Sequence, residues 1–372
     1  MKPVQNSMNT DKILLKASEL ETVSVDEGLF IYKNVSTTEL MLVANECRQK
    51  QVPGNQVGWI IDRNVNITNV CISGCKFCNF HCKINEEAQY ITTIDEYCRK
   101  TDELIEAGGR QLLLQGGMHP KLGLAFYTDL FRELKNRYPM VKLHALGPPE
   151  IAFLAKKERK TFRETLEILV ASGLESLPGA GAEILSDRVR KTISPGKCST
   201  QDWLDVMREA HKMNLVTSAT MMFGHIETLA ERIEHLALLR QVQNEKPDGN
   251  HGFVTFVPWP FMDEGTTLQK EGIRNHSTAN DYLRLVAISR IMLNNVKNLQ
   301  ASWLTVGADT GQLCLHGGAN DFGSIMMEEN VVSAAGARYK MDVQGIQQAI
   351  SDAGFEPQYR NQAYQPDILP VQ

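Results

Sequence analysis

Short apolar runs of strand length alternate with helix-forming stretches along most of this chain. In chain order the runs are VGWIIDRNVNIT, RQLLLQ, VKLHAL, LESLP, TSATMMF, GFVTFV, ASWLTV and FGSIMM. Alternation of this kind predicts parallel strands that are joined by helices. Eight successive units favour a closed α/β barrel of the TIM type, (β/α)8, over a doubly wound sheet.

Helix starts are marked by a Ser or Thr that lies three residues before a Glu, the pattern of a capping box. The pairs are Ser24/Glu27, Ser36/Glu39, Thr93/Glu96, Thr161/Glu164 and Thr228/Glu231. The distribution of these elements predicts an N-terminal helical extension over 1–50, the barrel over 51–340, and a C-terminal helix with a Pro-containing tail over 341–372.

Composition and charge indicate which kinds of molecule this protein binds. Of the 372 residues, 42% are hydrophobic and 22% are charged, which is ordinary for a globular protein. The net charge of -5 is spread without basic blocks, so we expect no nucleic acid and no anionic membrane as partner, and a small molecule instead. Because the sequence has neither the apolar core of a signal peptide nor a membrane-spanning run, we expect a cytoplasmic location.

Four of the eight cysteines fall close together, at Cys71, Cys75, Cys78 and Cys82. In a reducing compartment such clustering indicates metal binding. Cys71, Cys75 and Cys78 follow the first predicted strand directly, so we expect them on a strand-end loop. Three thiolates can hold three corners of a 4Fe-4S cube and leave one iron open for the amine and carboxylate of S-adenosylmethionine.

Other interpretations of the cysteines stay open at this point. A structural zinc site normally uses paired C-x2-C knuckles, and no second knuckle follows. Cys82 extends the run towards the spacing of an iron-sulfur electron carrier with four cysteine ligands. The remaining thiols, Cys47, Cys98, Cys198 and Cys314, are expected to be packing residues.

The segment CISGCKFC matches the Cx3CxΦC signature of the radical S-adenosylmethionine superfamily, in which Φ is aromatic. With NVNITNVC, LLLQGGMHP, HALGPPEI, SLPGAGAEIL, TSATMMFGHIET, FVPWPF and NDFGSIMMEENVVSAAGA, the chain resembles the menaquinone and deazaflavin branch of that superfamily from about residue 25 to about residue 350. The resemblance implies a 4Fe-4S cluster with an open iron, S-adenosylmethionine, and an external one-electron reductant such as flavodoxin or ferredoxin.

The resemblance also implies a reaction, the radical-initiated ring closure of dehypoxanthine futalosine in the futalosine pathway. Two alternatives within the branch are aminofutalosine synthase and a subunit of the deazaflavin synthase. An iron-sulfur electron carrier is the alternative from outside the enzymes.

Site residues are assigned by the same segments. Contacts with S-adenosylmethionine are expected from Gly116, Gly117, Gly179, Gly181, Glu183 and Arg188. His225 and Glu227 are the candidate catalytic bases. Substrate contacts are expected from His119, Pro149, Trp259, Phe261 and Asp321.

Overall fold

Three helices precede the barrel in the computed structural model, which describes residues 8–369. They are α1 (Thr10–Ser18), α2 (Val25–Asn34) and α3 (Thr37–Gln51). Ser24 and Ser36 each form a full capping box with the Glu three residues later, so these two predicted helix starts are confirmed.

Ten strands follow along the described chain. They are β1 (Gln56–Ile60), β2 (Asp62–Asn66), β3 (Gln111–Gln115), β4 (Lys142–Ala145), β5 (Ser176–Leu177), β6 (Val216–Phe223), β7 (Gly252–Pro260), β8 (Asn298–Leu299), β9 (Asp321–Ser324) and β10 (Glu356–Tyr359).

Strand pairing closes these strands into a barrel. β2 to β8 form one parallel sheet in chain order, and β9 and β10 flank β1 in a second sheet. Ile61 alone separates β1 from β2, and β1 pairs with β9. Gln300, directly after β8, bridges to Asp321 of β9. The predicted TIM-type (β/α)8 fold class is therefore confirmed.

Twelve more helices follow along the described chain, and most of them cover the outside of the barrel. They are α4 (Ile94–Glu106), α5 (Leu124–Arg137), α6 (Pro148–Glu158), α7 (Phe162–Ala171), α8 (Asp187–Ile193), α9 (Thr200–Lys212), α10 (Leu229–Glu245), α11 (Thr267–Lys270), α12 (Ala279–Met292), α13 (Trp303–Val306), α14 (Ala308–Leu315) and α15 (Val343–Asp352). Thr93, Thr161 and Thr228 cap α4, α7 and α10 as predicted. Among the described residues, none of the helices combines the length and the apolar character needed to cross a bilayer.

Two predicted strands need correction. The run ASWLTV contains the helix α13, and the strand is β8, just before it. A short apolar run fits a buried helix turn as well as a strand, and the Trp303 indole here donates to the Ser324 carbonyl oxygen at 3.2 Å. The first predicted strand is interrupted at Ile61, and the C-terminal segment adds an unpredicted strand, β10, which pairs with β1.

Candidate active site

The loop that follows β2 places three thiols on one cavity. Cys71, Cys75 and Cys78 all line it. The Ser73 hydroxyl oxygen lies 2.9 Å from Cys71 Sγ and 3.2 Å from Cys75 Sγ. Because the active sites of α/β barrels gather at the C-terminal ends of the strands, the loop lies where the sequence predicts the site.

Neighbouring loops hold this cysteine loop through its backbone. The Gly117 N–H donates to the Thr68 carbonyl oxygen at 2.7 Å, and the Gly196 N–H donates to the Ser73 carbonyl oxygen at 2.9 Å. A Cβ on Gly117 would lie 2.2 Å from the Val70 carbonyl oxygen. Glycine is therefore required at position 117 for the packing of the loop.

The three thiols suit a cluster of several iron atoms. Burial raises the pKa of Cys75 to about 11, so this thiol is neutral until a metal binds it. Burial also raises the pKa of Cys78, but hydrogen bonds from the His81 side chain and from backbone N–H groups together outweigh burial and lower that pKa, which favours the thiolate that binds iron. Within residues 8–369, no three His, Cys, Asp or Glu side chains converge closely enough to hold a single metal ion. A 4Fe-4S cube takes each thiolate at a different iron, so thiols spread around one cavity fit it.

Cys82 stands apart from the other three clustered cysteines. It is buried and does not line the cavity. Its backbone N–H donates to the Asn69 carbonyl oxygen at 2.9 Å, and its carbonyl oxygen accepts from the Cys71 N–H at 3.1 Å. Cys82 therefore ties the two ends of the loop together through its backbone.

Glu183 is the charged member of the predicted S-adenosylmethionine site that the structure places on the cavity. It lines the wall together with Gly116, Gly117 and Gly181. The Glu183 side chain is 4% exposed and forms an ion pair with the Lys197 ammonium group. Burial raises the pKa of Glu183, but the charge and hydrogen bond of Lys197, together with the charge of Arg190, outweigh burial and hold that pKa below its usual value. Glu183 is therefore a carboxylate that can accept hydrogen bonds from a ligand.

Lys197 is a cavity residue that the sequence analysis missed. Its ammonium nitrogen lies 5.2 Å from the ring centre of Phe77, the aromatic residue between Cys75 and Cys78. Burial lowers the pKa of Lys197, but Cys75 and Glu183 outweigh burial and raise it. Lys197 lies far from the cysteines along the chain, so no local pattern could assign it.

Two predicted cofactor contacts lie elsewhere. Gly179 is absent from the cavity wall, and a Cβ there would lie 2.3 Å from the Ser218 carbonyl oxygen, so its role is close packing against β6. Arg188 points outward with its side chain 55% exposed and pairs with Glu231. Because the guanidinium group is already bound on the surface, Arg188 is not at the cavity.

His225 and Glu227, the predicted bases, are buried behind the wall and do not line the cavity. Glu227 accepts hydrogen bonds from the Gly224 and His225 N–H groups at 2.7 and 2.9 Å and pairs with Arg232. His225 Nδ1 lies 2.8 Å from the Ile226 nitrogen and 3.0 Å from Glu227 Oε2, and His225 Nε2 lies 3.0 Å from the Met222 carbonyl oxygen. Burial lowers the pKa of His225 and so favours the neutral ring. Both side chains therefore hold the loop after β6.

Some of the predicted substrate contacts line the cavity and others do not. Pro149 and Trp259 line the cavity, whereas His119, Phe261 and Asp321 do not. His119 Nδ1 accepts from the Lys121 N–H at 3.1 Å, and Phe261 is fully buried in the core. Asp321 is held in a buried ion pair with Arg360, so it is not available to sugar hydroxyls.

The cavity continues from the cysteines into the barrel. Its volume is about 420 Å³, which suits a small molecule. Glu150 and His144 are further ionisable residues of its wall that the sequence analysis missed: burial raises the pKa of Glu150 to about 7 and lowers the pKa of His144 to about 3. Glu150 Oε2 accepts from the Gly147 N–H at 3.1 Å. In the sequence this spacing indicates only a helix start, and the closed barrel is what turns Glu150 towards the cavity.

A closed barrel whose strand β2 leads into three cavity cysteines defines a class of enzymes that generate radicals from S-adenosylmethionine. Residues 65–239 match the Radical SAM superfamily, and residues 250–372 match the CofH/MqnC C-terminal region. The chain belongs to the radical SAM superfamily, and its cofactors are a 4Fe-4S cluster and S-adenosylmethionine.

Within this superfamily, the chain is 38% identical over 356 residues to the cyclic dehypoxanthine futalosine synthase of Streptomyces coelicolor, covering 95% of this chain and 88% of the relative. It is 37% identical over 358 residues to the enzyme of that name from Halalkalibacterium halodurans, covering 96% and 95%. A relative from Methanothermobacter thermautotrophicus, named 5-amino-6-(D-ribitylamino)uracil–L-tyrosine 4-hydroxyphenyl transferase, is 36% identical over 361 residues, covering 95% and 97%.

Solved structures agree on the fold. Methylornithine synthase superposes with a TM-score of 0.68 at 20% identity, covering 94% of this chain and 98% of that one. The hydrogenase maturase HydG superposes with a TM-score of 0.74 at 14% identity, covering 96% and 78%.

Proposed function

We propose that this enzyme closes a ring in dehypoxanthine futalosine, forming the cyclic product of the futalosine route to menaquinone. The observation that carries the proposal is the similarity, over nearly the whole chain, to the two bacterial synthases of that name. The aromatic wall at Trp259 supports it, because a benzoate ring packs well against an indole.

Cys71, Cys75 and Cys78 would hold the cluster, and Gly116, Gly117, Gly181 and Glu183 would hold S-adenosylmethionine beside it. Glu183 is suited to the ammonium group or the ribose hydroxyls of this cofactor, because its carboxylate is ionised and lies on the wall. When bound, these cofactors would supply a primary carbon radical able to take the hydrogen atom at C4′ of the substrate sugar.

Residues of the cavity wall control the later steps on the substrate. The sugar radical adds to the benzoate ring, and the ring recovers its aromaticity when it loses one proton to a residue of the wall and one electron to a one-electron acceptor. That acceptor would be the oxidised cluster or the external electron carrier. Glu150 is our candidate for the proton acceptor, because its carboxyl group is buried on the cavity wall and its pKa of about 7 suits proton transfer near neutral pH. Phe77 and Trp259 line the same cavity and restrict water around the radical.

Product analysis tests the proposal. The protein would be purified without oxygen, its cluster reconstituted, and dithionite, S-adenosylmethionine and dehypoxanthine futalosine added; flavodoxin or ferredoxin would then replace dithionite as the one-electron donor. We expect 5′-deoxyadenosine together with a product that lacks two hydrogen atoms of the substrate.

Parallel reactions with other substrates provide the contrary outcomes. Turnover of tyrosine with 5-amino-6-(D-ribitylamino)uracil, without the cyclised product, would assign the chain to the deazaflavin pathway. Joining of an adenosyl group to an enolpyruvyl benzoate would assign it to aminofutalosine synthesis. An intact cluster without cleavage of S-adenosylmethionine would indicate an electron carrier.

A further inference from the structure

The interior side of β2 is polar at every second position. Asp62, Asn64 and Asn66 line the cavity, and Arg63 and Val65 between them face the surrounding helices. The interior of an α/β barrel is more often filled by branched apolar side chains. Polar residues here, beside an open cavity, therefore need a partner.

Four amide side chains on this cavity are left incompletely bonded. Within residues 8–369, one buried atom of each has no hydrogen-bond partner: Asn64 Oδ1, Asn66 Nδ2, Gln111 Oε1 and Gln362 Nε2. Asn64, Asn66 and Gln111 are 3%, 2% and 7% exposed. Buried polar atoms without partners are rare in native proteins, so a cluster of four on one cavity indicates a polar ligand.

Existing bonds fix the direction of two of these amides. The Gln111 Nε2 donates to Asp62 Oδ2 at 3.2 Å, which leaves Gln111 Oε1 as a free acceptor. The Asn66 Oδ1 accepts from Asn330 Nδ2 at 3.0 Å, which leaves Asn66 Nδ2 as a free donor. Gln111 pairs with Asp62 at one end of β2 and Asn66 lies at the other end, so the wall offers an acceptor and a donor at separate positions along the strand. A hydroxyl group can act as donor or acceptor, so hydroxyl groups of one ligand can meet either position.

The C-terminal tail closes the far end of the cavity without adding net charge. Arg360 lines the cavity, but its Nη2 donates to Asp321 Oδ1 at 2.9 Å and its guanidinium group lies 3.6 Å from the ring centre of Tyr364. Lys197, the other cationic side chain on the described cavity wall, is paired with Glu183. Since the charge of Arg360 is already matched, the end of the cavity at the tail favours a neutral polar group over a carboxylate.

We propose that Asn64, Asn66, Gln111 and Gln362, the amide face, bind the hydroxyl groups of the substrate. This inference rests on the proposed function where it identifies those hydroxyls with the sugar of dehypoxanthine futalosine. A ribityl chain carries the same chemistry, so the test must separate the two sources. By holding the hydroxyls, the amide face positions the sugar below the cysteines.

Calorimetry tests the amide face without turnover. It measures how tightly dehypoxanthine futalosine binds to the reconstituted enzyme in the presence of S-adenosylmethionine. The variants are Asn64→Leu and Gln362→Met, which keep side-chain size and remove the amide. Gln358→Met is the matched control, because Gln358 lies on the same tail, away from the cavity, and donates to the Tyr359 carbonyl oxygen. We expect each cavity variant to weaken binding of dehypoxanthine futalosine about tenfold and the control to leave it unchanged.

A substrate analogue that lacks one ring hydroxyl completes a double-mutant cycle. The wild type should bind this analogue more weakly than the full substrate. In one of the two cavity variants this difference in affinity should be smaller, because the amide that binds the missing hydroxyl is already gone. A midpoint of thermal unfolding close to that of the wild type would show that each variant retains the fold.

The outcomes separate this inference from the proposed function. If both cavity variants bind the substrate as tightly as the wild type does, the proposed role of the amide face is wrong, and the cyclase proposal is unaffected. The same holds if the losses of affinity are additive for every analogue. Tight binding of 5-amino-6-(D-ribitylamino)uracil alone, weakened by the same variants, would overturn the cyclase and keep the amide face. Binding of neither compound would overturn both.

Discussion

Gly117 lies so close to Val70 that a Cβ at position 117 would stand 2.2 Å from the Val70 carbonyl oxygen. Gly116, its neighbour, is less crowded, since its nearest atoms, both on the Thr68 backbone, would be at 3.0 Å. The first of these contacts cannot be relieved without moving the cysteine loop.

Gly117→Ala should therefore reduce the iron bound after reconstitution much more than Gly116→Ala does. The reason is that displaced backbone at Val70 moves Cys71, the first thiol. Iron and sulfide analysis, with circular dichroism to verify the fold, measures the effect. Equal iron content in both variants would refute the packing role of Gly117.

Replacement of single cysteines separates the cluster ligands from Cys82. Cys71→Ser, Cys75→Ser and Cys78→Ser should each lose the absorption and the electron paramagnetic resonance signal of a 4Fe-4S cluster. Cys82→Ser should keep both, because Cys82 does not line the cavity. Loss of the cluster in Cys82→Ser would favour the carrier with four cysteine ligands.

Glu150→Gln should lower the rate of cyclisation by about 10²- to 10⁴-fold while 5′-deoxyadenosine still forms, because the amide cannot accept the proton. In the wild type the rate should rise with pH through about 7, where the carboxyl group ionises. Single-turnover assays across pH measure both quantities.

Stability provides the control for Glu150. The pKa of this group rises from 4.5 to about 7 on folding, so its contribution to stability is full below pH 4.5 and is lost as the pH rises through 7. Because glutamine does not ionise, Glu150→Gln should not lose stability as the pH rises through 7, and it should be at least as stable as the wild type at pH 8. A variant that is inactive because it unfolds would contradict our assignment.

Glu227→Gln should destabilise the protein by about 3 to 5 kcal/mol, because it leaves Arg232 buried without its charge partner. The variant should still cleave S-adenosylmethionine per folded molecule. Urea unfolding and cleavage assays measure the two effects.

Arg188→Ala is the comparison for Glu227→Gln. Its exposed pair with Glu231 is worth only about 0 to 1 kcal/mol, and we expect normal affinity for S-adenosylmethionine. An inactive but stable Glu227→Gln protein would restore Glu227 as a catalytic base.

The sequence alone predicts the barrel, several helix starts and the three cavity cysteines. These features depend on local order: apolar runs, caps three residues apart, and thiols that one short loop carries. Trp259, Pro149 and Glu183, which the sequence analysis selected as binding residues, all line the cavity, since each lies at or just after the C-terminal end of a strand.

Only the tertiary structure decides which strand-end residues face the cavity. Arg188, His225 and Glu227 follow strands as Glu183 does, yet their charges and hydrogen bonds are matched by Glu231, Met222 and Arg232 outside the cavity. Lys197, Glu150 and Gln362 come from distant parts of the chain and meet because the sheet closes and the tail pairs with β1. The direction of a side chain and its partners depend on packing between remote segments, which no local pattern records.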